Sequence, residues 1–127
     1  MTNPAFPQFP AYACNGDTIT WTVDGFDMTA RIANDYTTKP TDSECYTDAD
    51  IERWKNDEWF YCGVVIAVTL QGIDLDHHAA SLWGIECNFG KDNAYLAEVA
   101  QELEGEALEA ARAEVARIRE VLGQVPA

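Results

Sequence analysis

The sequence predicts an α+β domain with a four-stranded, mostly antiparallel sheet, one short helix inserted between the second and third strands, and two C-terminal helices packed on one face. Three observations carry that prediction. Residues 17–33 alternate apolar and polar on either side of an Asp24-Gly25 pair, Tyr61 to Leu70 is the longest apolar run, and residues 94–122 repeat apolar positions every three or four residues. With 127 residues the chain can bury one core without covalent staples, so it reads as a single domain. Its parts are a Pro-rich arm over 1–13, a sheet region over 17–91 that holds a short helix at 48–56, and helices over 92–123.

The arm, MTNPAFPQFPAYA, has three prolines and no helical period. Phe6, Phe9 and Tyr12 recur every three residues, as one face of a polyproline helix would, which predicts a segment tethered across the domain. In the hairpin, Ile19, Trp21 and Val23 alternate with Thr18, Thr20 and Thr22, and Phe26, Met28, Ala30 and Ile32 continue the pattern beyond the turn. A two-residue type I′ loop at Asp24-Gly25 pairs Val23 with Phe26, Trp21 with Met28 and Ile19 with Ala30, putting every apolar side chain on one face. The turn-rich segment from Asn34 to Thr47 reads as a loop, with Lys39-Pro40 breaking any helix. Thr47 then caps DADIERWKN, where Asp48 and Asp50 suit the positive end of a helix over Asp48–Asn56.

The third strand, from about Trp59 to Leu70, is apolar on both faces and is therefore placed in the interior of the sheet. Gln71-Gly72 marks a turn, Ile73 to Leu75 forms a short returning strand, DHHAA is a solvated loop, and Ser81 to Phe89 is a further strand in which Gly84 permits a bend. Asp92 or Asn93 caps the first tail helix, with Leu96, Val99, Ala100 and Leu103 as its stripe. The second carries Leu108, Ala111, Val115, Ile118 and Leu122, and the five-residue step from Leu103 to Leu108 predicts a break near Gly105.

Charge narrows the partner classes. Against 8 Lys and Arg stand 22 Asp and Glu, for a net charge of -14, which disfavours direct binding to nucleic acid or an anionic membrane and favours a basic protein. Acidity of this kind also serves solubility or a salt-rich cytoplasm. Cys14, Cys45, Cys62 and Cys87 are scattered with no CxxC pair, which suits buried thiols in a reduced cytoplasm. The chain contains no GxGxxG, no GxxxxGK[ST] and no GxSxG, so no cofactor or catalytic site is predicted. Asp74, Asp76, His77 and His78 have the chemistry of transition-metal ligands, but adjacent histidines lack the spacing of a metal motif and read instead as a polar loop.

The partner-binding residues predicted from sequence fall into two groups. One is Asp48, Asp50, Asp57 and Glu58, in a connection whose eight acids oppose only Lys39, Arg53 and Lys55. The other is Glu98, Glu102, Glu106 and Glu109, which line one helix face at about 6 Å intervals, near the spacing of phosphates along one nucleic-acid strand. Duplex DNA carries a charge every ~1.7 Å of axis, so a domain about 40 Å long needs roughly two dozen charges to imitate it, and the acids must be gathered on one side.

DEWFYCGVVIAV, SLWGIECNF and NAYLAEVAQEL resemble small acidic uncharacterised proteins of phages, plasmids and integrated mobile elements, over roughly Trp54 to Leu103. That resemblance implies a genomic setting that includes anti-CRISPR and anti-restriction inhibitors, some of them DNA mimics, and no motif residue transfers from it. The expected function is a non-enzymatic inhibitor of a basic nucleic-acid-binding protein such as a host defence effector or nuclease. The alternatives are an immunity or antitoxin protein against a basic toxin, a metal-dependent enzyme using Asp74 to His78, and a phage assembly protein or homodimer joined through apolar groups on the sheet's far face.

Overall fold

The structure, a computed structural model, describes residues 6–126. Strands β1 (Thr18–Val23), β2 (Phe26–Asn34), β3 (Phe60–Leu70) and β4 (Ile73–Cys87) form one sheet in the order β1-β2-β3-β4, with every neighbouring pair antiparallel. A 3-10 turn at Pro40–Asp42 and helix α1 (Asp48–Lys55) connect β2 to β3, and helix α2 (Ala94–Gly123) follows β4.

The hairpin has the register that its turn chemistry requires. Val23 pairs with Phe26, Trp21 with Met28 and Ile19 with Ala30, while Asp24 and Gly25 both adopt positive φ. Gln71 and Gly72 repeat this device between β3 and β4, where Leu70 pairs with Ile73. As expected, β3 is interior. Cys62, Val64, Ile66 and Val68 join the core beneath α2, whereas Trp59, Tyr61 and Val65 are buried outside that core cluster, on the opposite face.

Two expectations are corrected. The predicted pair of C-terminal helices is a single thirty-residue helix that runs through Gly105 without a break. The five-residue gap arises only when Ala107 is left out of the stripe. Ala97, Ala100, Ala107 and Ala111 are fully buried, so Leu96, Ala100, Leu103, Ala107, Ala111 and Val115 form one stripe with steps of three and four. Small side chains bring the helix backbone close to the sheet, and Gly105 lies on the exposed side.

The second correction concerns the predicted loop at DHHAA. It belongs to β4, a single fifteen-residue edge strand that opposes the eleven residues of β3. Three register shifts absorb the surplus, one of them beside Gly84 at φ 75°. Polar side chains are compatible with this strand because one of its edges meets solvent.

The arm is tethered as predicted, by Phe6 and Phe9 rather than by Tyr12. Phe9 is buried in the core and Phe6 lies 4.7 Å from the Trp21 ring, while Tyr12 is exposed. The first five residues of the predicted arm lie outside the described residues. Asn93, buried at the start of α2, does not cap it with its side chain. Its Nδ2 donates to the Pro10, Ala11 and Asn88 oxygens, and its Oδ1 accepts from Asn88 N, so one amide joins arm, strand end and helix start.

Candidate functional site

Continuity of α2 decides how its glutamates are displayed. Glu98, Glu102, Glu106 and Glu109 are all exposed, and an unbroken helix holds them within one sector opposite the alanine stripe. From Asp92 to Glu109 there are six acids and no base. None of the four makes a salt bridge among the described residues. Glu104 has a different role. Its Oε1 accepts from Trp21 Nε1 at 2.8 Å, tying the helix to β1.

The acids of the connection lie elsewhere. Asp48 is exposed in the first turn of α1, and Asp50 completes a capping box with Thr47 and pairs with Arg53 at 3.2 Å. The hydrogen bonds from Thr47, followed by that arginine, outweigh desolvation and hold the Asp50 carboxyl below its ordinary range. Asp57, at φ 61°, and Glu58 are exposed after the helix. Trp59 donates from Nε1 to the Asp50 carbonyl at 2.9 Å and stacks on Tyr46, which anchors α1 to the face opposite α2. The structure therefore brings the four α2 glutamates together and leaves Asp48, Asp50, Asp57 and Glu58 as a separate group across the sheet.

The Asp74 to His78 segment shows local bonding. Asp76 Oδ1 accepts from the His78 backbone N–H, His78 Nε2 lies 2.6 Å from Ser81 Oγ, and Trp83 Nε1 donates to the same hydroxyl at 3.1 Å. Arg31 donates to the His77 carbonyl. Among the described residues no three His, Cys, Asp or Glu side chains converge on a metal position.

A cleft of about 700 Å³, missed in the sequence, opens beside the end of α1. Tyr12, Tyr36, Trp54 and Tyr61 line it together with Lys39 and Lys55. The signal available was the placement of Tyr36 in an otherwise polar, turn-rich stretch. Asp35 organises the cleft wall. Its carboxylate accepts from the N–H and hydroxyl groups of both Thr37 and Thr38 and from Gly84 N, which fastens the loop to β4. Burial would raise its pKa, but the threonine hydrogen bonds prevail and hold it at about 2. Nearby, Tyr61 donates to Tyr46, which donates to Glu86 at 2.6 Å. Burial, followed by the Glu86 contact, raises the Tyr46 pKa above the phenol range and keeps that relay protonated.

All four cysteines are free. Cys62 and Cys87 are buried as expected, and their mutual contact, with burial, raises the Cys87 pKa; Cys14 and Cys45, by contrast, are exposed. No helix among the described residues is long and apolar enough to cross a membrane. Compared with family models, curated proteins and solved structures, the chain matches none.

Proposed function

We propose that this protein is a non-enzymatic binder that offers the outer face of α2 to the basic groove of a nucleic-acid-binding protein and inhibits it by occupying the place of nucleic acid. The observation that carries this reading is the row Glu98, Glu102, Glu106 and Glu109, exposed on one continuous helix and free of salt bridges among the described residues. A rigid helix spaces these carboxylates before binding, so little ordering entropy is lost when a partner's lysines and arginines close on them. Complementary fields also accelerate encounter and make it salt-sensitive. The sheet separates the α1 acids from this row, so the proposed surface is the helix alone. A CRISPR or restriction component is the partner class that the resemblance suggests.

The test is capture from a bacterial lysate at low and high salt, followed by competition with duplex DNA. Wild type is expected to retain a basic nuclease or effector subunit at low salt and to lose it to DNA. The combined variant Glu98→Gln, Glu102→Gln, Glu106→Gln, Glu109→Gln is expected to weaken capture at least tenfold while melting as wild type does. Capture that ignores both salt and these substitutions rejects the reading.

A further inference from the structure

The cleft beside the end of α1 takes no part in the proposed inhibition, and its walls carry chemistry of their own. Three stretches distant in the chain build it: residues 12–15 of the arm, the loop from Asn34 to Lys39, and residues 54–61 around the start of β3. No sequence motif could mark such a site. Its volume of about 700 Å³ lies within the roughly 300–1,000 Å³ typical of small-molecule pockets. Tyr12, Tyr36 and Trp54 make no ring–ring contact among the described residues, whereas Tyr46, Trp59, Tyr61 and Phe89 pair with one another. Tyr36 is 82% exposed, yet its hydroxyl accepts from Asn34 Nδ2 at 2.8 Å, and the Asn34 backbone N–H donates to Asn15 Oδ1. That chain sets the ring at the cleft wall before anything binds, which lowers the cost of ordering it. Aromatic rings with free faces are stacking surfaces for planar ligands.

Charge is distributed unevenly as well. The chain has three lysines, and two of them, Lys39 and Lys55, line this cleft. Both are exposed and neither makes a salt bridge among the described residues, whereas Arg53, Arg112 and Arg117 are each paired with an acid of the chain. Two carboxylates line the cleft too. Asp35 already accepts five hydrogen bonds, from Thr37, Thr38 and Gly84, so it has no capacity left for a ligand. The Asp57 carboxylate and Asn15 Nδ2 have no hydrogen-bond partner among the described residues, and they offer one acceptor and one donor.

We propose that the cleft binds a nucleoside monophosphate, its base stacked among Tyr12, Tyr36 and Trp54 and its phosphate held by Lys39 and Lys55. The two ammonium groups match the roughly -2 charge of a phosphate monoester at neutral pH. Asn15 and Asp57 supply the donor and the acceptor that a base edge or a ribose requires. A longer strand would lay further phosphates over the acids between the two lysines, among them Asp42, Glu44 and Asp48, so a single nucleotide is the class selected. Exposed charges farther than about 10 Å are largely screened at ordinary ionic strength, which lets the lining groups prevail over the charge of the whole chain.

Titration of the isotope-labelled full chain with the monophosphates of adenosine, guanosine, cytidine and uridine, followed by NMR, tests the inference. At least one is expected to shift the Trp54 indole N–H and the amides of 36–39 with a dissociation constant below about 1 mM. The matching nucleoside should bind roughly tenfold more weakly, and inorganic phosphate alone should leave those signals in place. Tyr36→Ala is expected to weaken the nucleotide roughly tenfold, and Lys39→Gln with Lys55→Gln to reduce it to the affinity of the nucleoside. All three side chains are exposed, so the melting temperature should not change. No shift with any of the four, equal binding of nucleoside and monophosphate, the same shifts with inorganic phosphate, or binding indifferent to these substitutions would each overturn the proposal. The variant with glutamines at positions 98, 102, 106 and 109 should bind the nucleotide as wild type does, so the result is independent of whether a basic partner exists.

Discussion

On the face of the sheet covered by α2, cohesion comes from apolar contact: Met28, Ile32, Val64, Ile66 and Leu96 have essentially no exposed surface, and the helix approaches through alanines. On the opposite face no helix among the described residues lies over the middle of the sheet, and the end near α1 is held by directed polar bonds around Asp35, Tyr46 and Asp50, with Trp83 lying against Gly63. The first kind of cohesion is insensitive to pH and is lost in large steps when volume is removed. The second is lost by titration and opens in smaller units, which is where local fluctuation concentrates.

Removing volume from the covered face gives the largest expected effect. Leu96→Ala should cost about 2–5 kcal/mol in chemical denaturation, whereas the same change at exposed Leu122 should leave stability within about 0.5 kcal/mol of wild type. Similar losses at the two positions would mean that the end of the helix is packed as tightly as its start and would erase the contrast along the helix.

The open face is probed next at Gly63, where a Cβ would collide with the Trp83 indole. Gly63→Ala should cost about 1–3 kcal/mol and change the tryptophan fluorescence, and Trp83→Ala in the same background should relieve the strain. Without that rescue, Trp83 is not what excludes a side chain there.

Acid titration separates the faces without mutation. The Asp35 carboxyl is held at about 2, below its ordinary 3.8, so its contribution is complete above pH 3.8 and is lost as pH falls through about 2. Hydrogen exchange over pH 4 to 2, corrected for intrinsic rates, should show amides of the 35–38 loop losing protection before those of β3. Asp35→Asn should remove that pH dependence. The smallest effect is expected at Gly105. Its solvent-facing helical position has no atom within reach of a Cβ, so Gly105→Ala should stabilise the protein by about 0.5–1 kcal/mol, and a loss of stability would indicate a functional bend.

The hairpin shows how far local chemistry carries: Asp24-Gly25 and the alternation on either side of it determine turn type, register and buried face together, because each has a period of two residues. The same holds for the interior position of β3, for α1 with its capping box, and for the candidate glutamate row, whose spacing is a property of any helix. Where the residues were ambiguous, packing decided. Nothing local marks Ala107 as inward-facing, so the stripe that carries α2 through Gly105 was visible only once that residue was seen buried. Polar residues at Asp74 to His78 suit a loop and an edge strand equally, and only pairing with β3 chose the strand.

The sequence by itself determined the antiparallel hairpin, the interior place of β3 and the acidic character of the chain, because turn geometry, hydrophobic period and charge are written residue by residue. Only the tertiary structure decided that the two acidic groups lie on opposite sides of the sheet, that Asp35 braces a cleft and that the apolar groups of the last turn of α2 stay exposed. Each of these depends on where segments distant in the chain meet, and no local period records that distance.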